Sequence, residues 1–433
     1  MSGRKDTGTG PATAYARHGR LHRAPVGVAI SKFLAAAVGV TLVSAGSIAA
    51  IAAWDLNRQV QTVHLQNEDA LGDIPEIGAI PGGVNLLLVG SDSRANSVYE
   101  YGKDEGSELN DVNILLHISQ DHTNAVAVSF PRDTLVPIPE CQDGEGGTTG
   151  PFSAQKINTA LSHGGGAEKA GLACAVATVE NLTGLAIPFA AMISFDGVIE
   201  MSNAIGGVPV CVADPIEDTH TELFLPAGLH ELQGIDALKF LRTRYGIGDG
   251  SDITRISSQQ VFLSSLVRKV KSSDTLTDIS KLYGLAGAAV RNMQFSDSLG
   301  NVDTMVQIAK ALAPVDLSKI VFVQYPTVED GNTLYPNEDS ATALFTAIAA
   351  DQSLALTTDT TGLRTGSVPA AGTETPPATP AAPETPVAPE APADGSTPTA
   401  TPTDPTTAVL PSDVLGQTAA QETCSVGRTL ADQ

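Results

Sequence analysis

The sequence predicts an α/β domain of three layers, in which helices cover both faces of a central mixed β-sheet. Two patterns indicate this class: short apolar runs typical of buried strands recur through the middle of the chain, and helical stretches lie between them. A third pattern indicates that the sheet is mixed. Only a short polar loop separates the second run from the third, so these two strands form an antiparallel hairpin.

The first strand is predicted at 84–90, where an apolar run ends at a glycine turn. Further strands are predicted at 112–118, 125–130, 189–195, 208–212 and 320–323. Helices are predicted between the strands, at 153–162, 170–182, 196–204, 234–241, 252–270, 276–292 and 302–312. Together these elements define a folded domain over residues 81–350.

The segment that precedes the domain indicates a membrane anchor. Residues 1–32 form a stub with six basic residues and one acidic residue. Residues 33–54 carry no charge and are long enough to cross a bilayer as a helix. The positive-inside rule places the stub in the cytoplasm and the domain outside, behind a stalk at 55–80. A cleaved signal peptide is the alternative, because small residues lie near 49–52.

The C-terminal part, 351–433, is predicted to be a disordered low-complexity tail. Residues 365–408 are mostly Pro, Thr, Ala and Glu, which bury too little apolar surface to fold, and 409–433 show no clear fold. The four cysteines follow the predicted anchor, in an oxidising space. A Cys141–Cys174 bridge is the favoured pairing, because the two residues flank a Gly-rich loop and a helix, and Cys424 is expected to be free.

Composition and motifs exclude several classes of protein. The net charge of −23 argues against non-specific nucleic-acid binding, which requires a basic face. The sequence contains no GxxxxGK[ST] loop, no GxSxG elbow and no HExxH pair. Nucleotide hydrolysis of the P-loop type is therefore unsupported.

Polar residues flank three of the predicted strands. Asp92 and Arg94 follow the first strand, Asp111 precedes the second, and Arg132 and Asp133 follow the third. In open α/β sheets the crevice beyond the strand ends is the usual ligand site, and two carboxylates with phosphate or water oxygens suit Mg²⁺. The alternatives are a polar turn at Asp92, a cap at Asp111 and a surface ion pair between Arg132 and Asp133.

A second group of polar residues surrounds a predicted helix start. Arg242 and Arg244 share a face of extended chain, and Arg255 and Gln259 share a face of a helix. Arginine binds phosphate oxygens through two donors at once, so these arginines indicate an anion site. A basic helix surface neutralised by nearby aspartates is the alternative. With Mg²⁺, such an arginine cage suffices for phosphoryl transfer, which needs positioning and charge neutralisation more than covalent catalysis.

The ordered set of motifs resembles the LytR–CpsA–Psr family. The matching stretches are 86–94 (LLLVGSDSR), 130–134 (FPRDT), 156–160 (KINTA), 206–208 (GGV) and the pattern RxR…DxxRxxxQ at 242–259. Each motif alone is weak, but their order and spacing are specific. The resemblance covers roughly 81–335, and the stub followed by an anchor fits it as well.

The resemblance implies a phosphotransferase that moves a glycopolymer from a polyprenyl-pyrophosphate carrier to peptidoglycan, outside the cytoplasmic membrane. It implies Asp92 and Asp111 as ligands of Mg²⁺ or Mn²⁺, and apolar side chains that form a tunnel for the prenyl chain. The implied catalytic residues are Asp92, Arg132, Asp133, Arg242 and Arg244, and the implied pyrophosphate contacts are Arg94, Arg132, Arg242, Arg244, Arg255 and Gln259. Asp133 either orients Arg132 or acts as the base toward the attacking hydroxyl.

One departure from the family pattern concerns the residue two positions before the second metal aspartate. Many members carry arginine there, whereas this chain has Leu109, so that phosphate contact is either missing or supplied by another residue, for which Arg94 is the candidate. Two other functions stay open. One is a polyprenyl-pyrophosphate pyrophosphatase that uses the same site, and the other is a non-catalytic wall-binding or regulatory membrane protein. The composition leans toward an actinobacterial cell wall.

Overall fold

The computed structural model describes residues 26–66, 83–94, 97, 99, 108–272, 279–331, 333–357, 365–367 and 407–433. Its contacts divide the chain into two units, Met1–Asp55 and Leu56–Gln433. Helix α1, Val26–Gln59, supplies the described residues of the first unit. No helix within the described ranges is both long enough and apolar enough to cross a membrane. The anchor predicted at 33–54 lies within α1, where the side chains of 48–57 are outside the described residues.

The second unit contains the strands and the remaining helices. The strands are β1 Gln61–Val63, β2 Val84–Ser91, β3 Asn110–Ile118, β4 Ala125–Phe130, β5 Leu135–Ile138, β6 Cys141–Gln142, β7 Thr148–Thr149, β8 Phe152–Lys156, β9 Phe189–Ile193, β10 Val208–Val212, β11 Ile216–Asp218, β12 Leu223–Leu225, β13 Gly228–Leu232, β14 Met293–Ser296, β15 Ile320–Gln324, β16 Thr327–Asp330, β17 Thr333–Pro336, β18 Ser353–Ala355, β19 Thr365–Ser367, β20 Thr407–Val409, β21 Gly416–Thr418 and β22 Thr423–Ser425. The helices are α2 Ala160–His163, α3 Gly171–Thr183, α4 Phe195–Ile205, α5 Ile235–Arg242, α6 Asp252–Lys271, α7 Ile279–Asn292, α8 Val302–Leu312 and α9 Glu338–Ala349.

Eight strands form the central sheet, in the order β1-β14-β9-β2-β3-β4-β15-β21. The pairs β9–β2 and β4–β15 are parallel, whereas β3 runs antiparallel to both β2 and β4. The predicted mixed sheet and the predicted hairpin are therefore confirmed. Because β2 and β4 both run antiparallel to β3, their carboxyl ends lie at the same edge of the sheet as the start of β3.

Helices cover both faces of this sheet, as the sequence predicts. Alternate residues of a strand point to opposite faces, so Leu87 and Leu115 enter a buried cluster with residues of α3 and α9. Leu86 and Ile114 enter a second cluster on the other face, with residues of α8. Leu87 and Leu115 are fully buried. Each such side chain contributes about 2 kcal/mol to the free energy of folding.

Three of the predicted elements differ in the structure. Each predicted strand is present, but 208–212 is β10, which belongs to a separate sheet of order β13-β10-β22-β19. The helix predicted at 153–162 is wrong in its first half, because β8 pairs there with β5 and satisfies its backbone groups. The stalk predicted at 55–80 is wrong at Gln61–Val63, which pairs with β14 at the sheet edge.

The C-terminal end of the chain corrects the prediction of a tail over 351–433. Strand β21 adds to the central sheet beside β15, and β22 lies between β10 and β19. The predicted Cys141–Cys174 bridge is present, but Cys424 is not free, because it forms a disulfide with Cys211. Within the low-complexity stretch predicted at 365–408, residues 368–406 lie outside the described residues. Strand pairing and a covalent bond therefore fix a segment whose own apolar pattern is weak.

Candidate active site

A cavity of about 560 Å³ lies between one face of the central sheet and helices α4, α5 and α6. Strand residues Leu88, Ile114 and Ile193 line the sheet side. The apolar residues on the helical side are Phe195, Val198, Met201, Ile205, Leu238, Leu241, Phe262, Leu263 and Leu266. The apolar space that the family resemblance implies between sheet and helices is therefore present.

One part of the cavity wall is polar and strongly charged. Its residues are Ser91, Asp111, Arg132, Asp218, His220, Arg242, Arg244, Arg255 and Gln259. Ser91 ends β2, Asp111 begins β3, and Arg132 follows β4, so the antiparallel topology brings these three positions to one edge of the sheet. Six of the predicted site residues therefore meet in one wall.

Three carboxylates surround the Arg132 guanidinium. Its Nη1 donates to Asp111 Oδ2 at 2.9 Å, and its Nε lies 3.6 Å from carboxylate oxygens of both Asp133 and Asp252. Burial alone would lower the pKa of Arg132, but the charges of Asp111, Asp252 and Asp133 outweigh it and raise the pKa. Arg132 is therefore a fixed positive charge at the rim of the cavity.

Helix α6 carries the buried arginine of the site. Ser251 caps this helix by accepting a hydrogen bond from the Thr254 amide, which places Asp252 in its first turn. Arg255 Nη2 lies 2.6 Å from Asp252 Oδ1 and donates to the backbone carbonyl of Asp111 at 3.0 Å. Burial lowers the pKa of Arg255, while the charge of Asp252 opposes this effect.

Contacts of their side chains orient the remaining arginines of the wall. The Arg242 guanidinium carbon lies 4.3 Å from the centroid of the Phe195 ring, a cation–π contact. Arg244 Nε donates to the Gly250 carbonyl at 2.8 Å. Gln259 Nε2 donates to the Leu241 carbonyl at 3.0 Å, which connects α6 to the end of α5.

Asp218 organises the loop that carries Arg244 and was not among the predicted site residues. Its Oδ2 accepts hydrogen bonds from the Thr243 hydroxyl at 2.6 Å and from the Arg244 amide at 3.2 Å. Burial acts to raise the pKa of Asp218, but these bonds and those from the His220 and Thr221 amides hold it below its usual range. The run Asp-Thr-His-Thr is typical of an Asx turn, which was the available signal.

Three predicted site residues do not line the cavity. Asp92 accepts a hydrogen bond from the Leu109 amide at 2.6 Å through Oδ1. Arg94 lies three positions beyond Ser91, and its positive charge acts on Asp92. The position of Arg94 outside the wall gives no support to its expected role in place of the missing arginine. Asp133 binds Lys156 Nζ at 2.6 Å.

Asp133 is held in its ionised form. Burial acts to raise its pKa, but the hydrogen bond from Lys156 and the charge of Arg132 lower it below the usual range. A carboxylate with a lowered pKa is a weak base. The geometry therefore favours the orienting role of Asp133 toward Arg132 over the role of a proton acceptor.

Asp92 and Asp111, the predicted metal ligands, lie near enough for the charge of one to act on the other. Burial raises the pKa of Asp92, and the negative charge of Asp111 raises it further. A cation held by both carboxylates would remove this repulsion. Within the part of the chain that the structure describes, no three His, Cys, Asp or Glu side chains cluster to hold a metal. Mg²⁺ suits a sparser site, because it binds through one or two carboxylates and completes its shell with water and phosphate oxygens.

A model of the LytR_cpsA_psr family matches residues 54–350 of this chain. The chain belongs to that family. Cell wall biosynthesis protein LcpA of Corynebacterium glutamicum is 31% identical to it over 239 residues, which are 51% of this chain and 46% of LcpA. The match to the probable cell wall biosynthesis protein LcpB of the same organism spans 61% of that protein.

Two further similarities are to a transferase and to a solved structure. The polyisoprenyl-teichoic acid–peptidoglycan teichoic acid transferase TagT of Bacillus subtilis is 26% identical over 279 residues, which are 62% of this chain and 79% of TagT. The LytR-Csp2A-Psr enzyme from Actinomyces oris has a similar fold, with a TM-score of 0.50 at 18% identity. That alignment covers 67% of this chain and 96% of the other.

Proposed function

We propose that this chain is a phosphotransferase that moves a glycan phosphate from a polyprenyl-pyrophosphate carrier to a hydroxyl of peptidoglycan. The observation that carries the proposal is a single cavity with two chemically different parts, an apolar interior and a wall of arginines and carboxylates. A lipid pyrophosphate has the same two parts. The family and the transferase name of TagT support the same class of reaction.

Two arginine side chains each have an N–H donor that lacks an acceptor, and a phosphate oxygen would be a suitable acceptor. The Nε groups of Arg132 and Arg255 are buried and have no hydrogen-bond partner among the described residues. A buried donor without an acceptor costs about 1–3 kcal/mol, so a rearrangement of these side chains that brings a phosphate oxygen to the donor would recover that free energy. Arg255 is also only 6% exposed, and this burial strengthens its attraction for a charge that enters the wall.

The proposed reaction exchanges one phosphorus–oxygen bond for another. The acceptor hydroxyl oxygen bonds to the phosphorus that carries the glycan, and the bond from that phosphorus to the bridging oxygen breaks. The lipid leaves as a polyprenyl monophosphate, and the hydroxyl proton passes to solvent or to a base. Arg132 and Arg255 neutralise the phosphate charges, and Asp133 holds Arg132 in place. Mg²⁺ or Mn²⁺ bound by Asp92 and Asp111 would supply further charge neutralisation.

The proposed place of action is the outer side of the cytoplasmic membrane. Two disulfides suit an oxidising space outside the cytoplasm. The uncharged run at 33–54, preceded by six basic residues, supports a single anchor with its N-terminus in the cytoplasm.

The experiment that tests the function uses the full chain in detergent micelles, a polyprenyl-pyrophosphoryl sugar as donor and peptidoglycan fragments as acceptor. We expect release of polyprenyl monophosphate, with the sugar phosphate joined to the acceptor. Arg132→Ala should lose this turnover, whereas Arg291→Ala, at an exposed arginine of α7, should keep it. Sugar phosphate released to water alone would identify a pyrophosphatase. If the protein showed no turnover and bound no donor, the non-catalytic wall-binding function would be the one that remains.

A further inference from the structure

We propose that the C-terminal strap, residues 425–433, is a positioning element for Arg244. The strap is the last part of the chain, and it contacts the arginine loop, residues 243–251, which connects α5 to α6. The family resemblance assigns no function to the residues of the strap. The inference deepens the proposed function, and it rests on that function only for its measurement of turnover.

The strap pairs with the arginine loop through its backbone. The Arg428 amide donates to the Gly246 carbonyl at 2.8 Å, and the Gly248 amide donates to the Val426 carbonyl at 3.0 Å. Between these bonds, Ile247 and Gly427 form an antiparallel bridge. The arginine loop therefore has a strand partner on one side, although the loop itself is not a strand.

The other edge of the strap pairs with the body of the domain. The Ala213 amide donates to the Ser425 carbonyl at 2.8 Å, and the Glu217 amide donates to the Arg428 carbonyl at 3.1 Å. The strap thus lies between the arginine loop and the chain around β11. Strand β11 ends at Asp218, whose carboxylate accepts a hydrogen bond from the Arg244 amide. The strap therefore contacts both the arginine loop and the strand that holds the backbone of Arg244.

The connection from the strap to the Arg244 guanidinium runs through Gly250. Arg244 Nε donates to the Gly250 carbonyl, so the position of that carbonyl sets the direction of the side chain. A Cβ placed on Gly250 would lie 3.0 Å from Arg428 Nη1, so the Arg428 side chain packs directly on this residue. Gly250 has a φ of 81°, a conformation that glycine adopts without strain.

Two contacts fix the strap at its start. The Cys211–Cys424 disulfide bonds the preceding strand covalently to β10. The hydroxyls of Ser425 and Ser258 lie 2.6 Å apart, and Ser258 is on α6 between Arg255 and Gln259. The strap is therefore fixed against β10 and against α6, the helix that carries Arg255 and Gln259. Its removal should loosen the arginine loop and leave the central sheet intact.

Hydrogen exchange tests this inference without any activity. Gly427 has no room for a side chain, because a Cβ there would overlap the carbonyl oxygens of Asp214 and Pro215. Gly427→Ala should therefore displace the strap. A chain that ends at Ser425 removes most of the strap and keeps the disulfide. Gly150→Ala is the matched control, because nothing lies within 4 Å of its added Cβ.

We expect faster amide exchange across 244–251 in the Gly427→Ala protein and in the chain that ends at Ser425, and no change in β2–β4 or in the control. Unchanged exchange of the Gly248 amide would overturn the inference. The hydrogen-exchange result does not depend on turnover. A wild-type protein without activity would contradict the proposed function, but the exchange rates would still test the role of the strap.

A double-mutant cycle with Arg244 separates positioning from general stability. Loss of a charge-assisted contact should lower kcat/KM in the strap variants by roughly tenfold or more, at temperatures where thermal unfolding shows all proteins folded. In an Arg244→Ala background the same strap variants should change kcat/KM by less than about twofold, because coupled residues are not additive. Equal losses in both backgrounds would show that the strap acts on the fold and not through Arg244.

Discussion

Replacement of Asp252 should destabilise the domain far more than replacement of an acidic residue on its surface. Asp252 and Arg255 form an ion pair whose side chains are 4% and 7% exposed. Asp252→Asn removes the negative charge and leaves the guanidinium of Arg255 buried without its partner. Breaking a buried pair in this way costs about 3–5 kcal/mol. The lost charge in the first turn of α6 adds about 0.3–1 kcal/mol, because a helix N-terminus favours an acidic group.

The contacts that remain in the variant place the expected loss of stability at the lower end of this range. Arg255 keeps its hydrogen bond to the Asp111 carbonyl, and an asparagine at 252 can still accept from the Arg132 amide. We therefore expect a loss of about 3 kcal/mol in the free energy of unfolding. Urea denaturation of fragment 56–433, the compact second unit, followed by circular dichroism, measures it. Glu145→Gln is the control, since Glu145 and Lys169 form an exposed pair whose loss should cost less than about 1 kcal/mol.

A second variant tests the cause of that loss. Asp252→Asn combined with Arg255→Met removes both charges and puts an apolar side chain in the place of the arginine. Because an apolar pair of similar volume stabilises a core about as well as a buried ion pair, the double variant should recover much of the loss. A single variant that loses under about 1 kcal/mol, or a double variant that is no more stable than the single one, would refute the reasoning.

Three further predictions concern the disulfides, Asp92 and the cavity. Replacement of Cys211 and Cys424 by serine should lower the free energy of unfolding in urea by about 1–2 kcal/mol more than replacement of Cys141 and Cys174. The chain entropy lost on closing a loop grows with the length of the loop, and the cysteines of the two bridges are separated by 213 and 33 residues in sequence. Asp92→Asn should stabilise the metal-free protein at neutral pH. Because the pKa of Asp92 is higher in the folded protein than in the unfolded chain, the free energy of unfolding falls as the pH rises from the ordinary pKa through the folded pKa. Met201→Trp should raise KM for a long-chain donor by filling the apolar cavity, with inhibition by inorganic pyrophosphate unchanged.

Each of these predictions has a control and an outcome that contradicts it. For the disulfides, equal losses at the two bridges would contradict the dependence on loop length. For Asp92, the gain in stability should shrink below its ordinary pKa, and a loss at neutral pH would contradict the raised value. For the cavity, tryptophan at the exposed Val306 of α8 is the control, and an equal rise in KM there would contradict a role for the cavity.

The central strands could be predicted because their burial is nearly continuous. Every residue of β4 is buried, and β2 is buried at most positions, so each appears in the sequence as an apolar run ended by polar residues. The site residues at the strand ends followed from the same pattern. Topology then brought them together, since three adjacent antiparallel strands place Ser91, Asp111 and Arg132 at one edge.

The C-terminal strands could not be predicted because their stability comes from distant partners. β21 and β22 have only three residues each, and the Pro- and Thr-rich sequence before them indicates disorder. β21 pairs with β15, and β22 pairs with β10, to which its cysteine is also bonded. Local propensity carries no information about such pairs, and an even number of cysteines does not specify their connectivity.

The interpretation of the arginine wall depends on whether its ion pairs are purely structural. Arg132 with Asp111 and Arg255 with Asp252 would join β3, β4 and α6 without any ligand, and buried pairs of this kind occur in many cores. A purely structural network would satisfy its buried donors, because each unpaired donor costs free energy. Here the Nε groups of both arginines lack a hydrogen-bond partner within the described residues, and both side chains line a cavity of about 560 Å³. Unsatisfied donors on side chains that line one charged wall of a cavity with an apolar interior are the combination expected of a site for a lipid-linked anion.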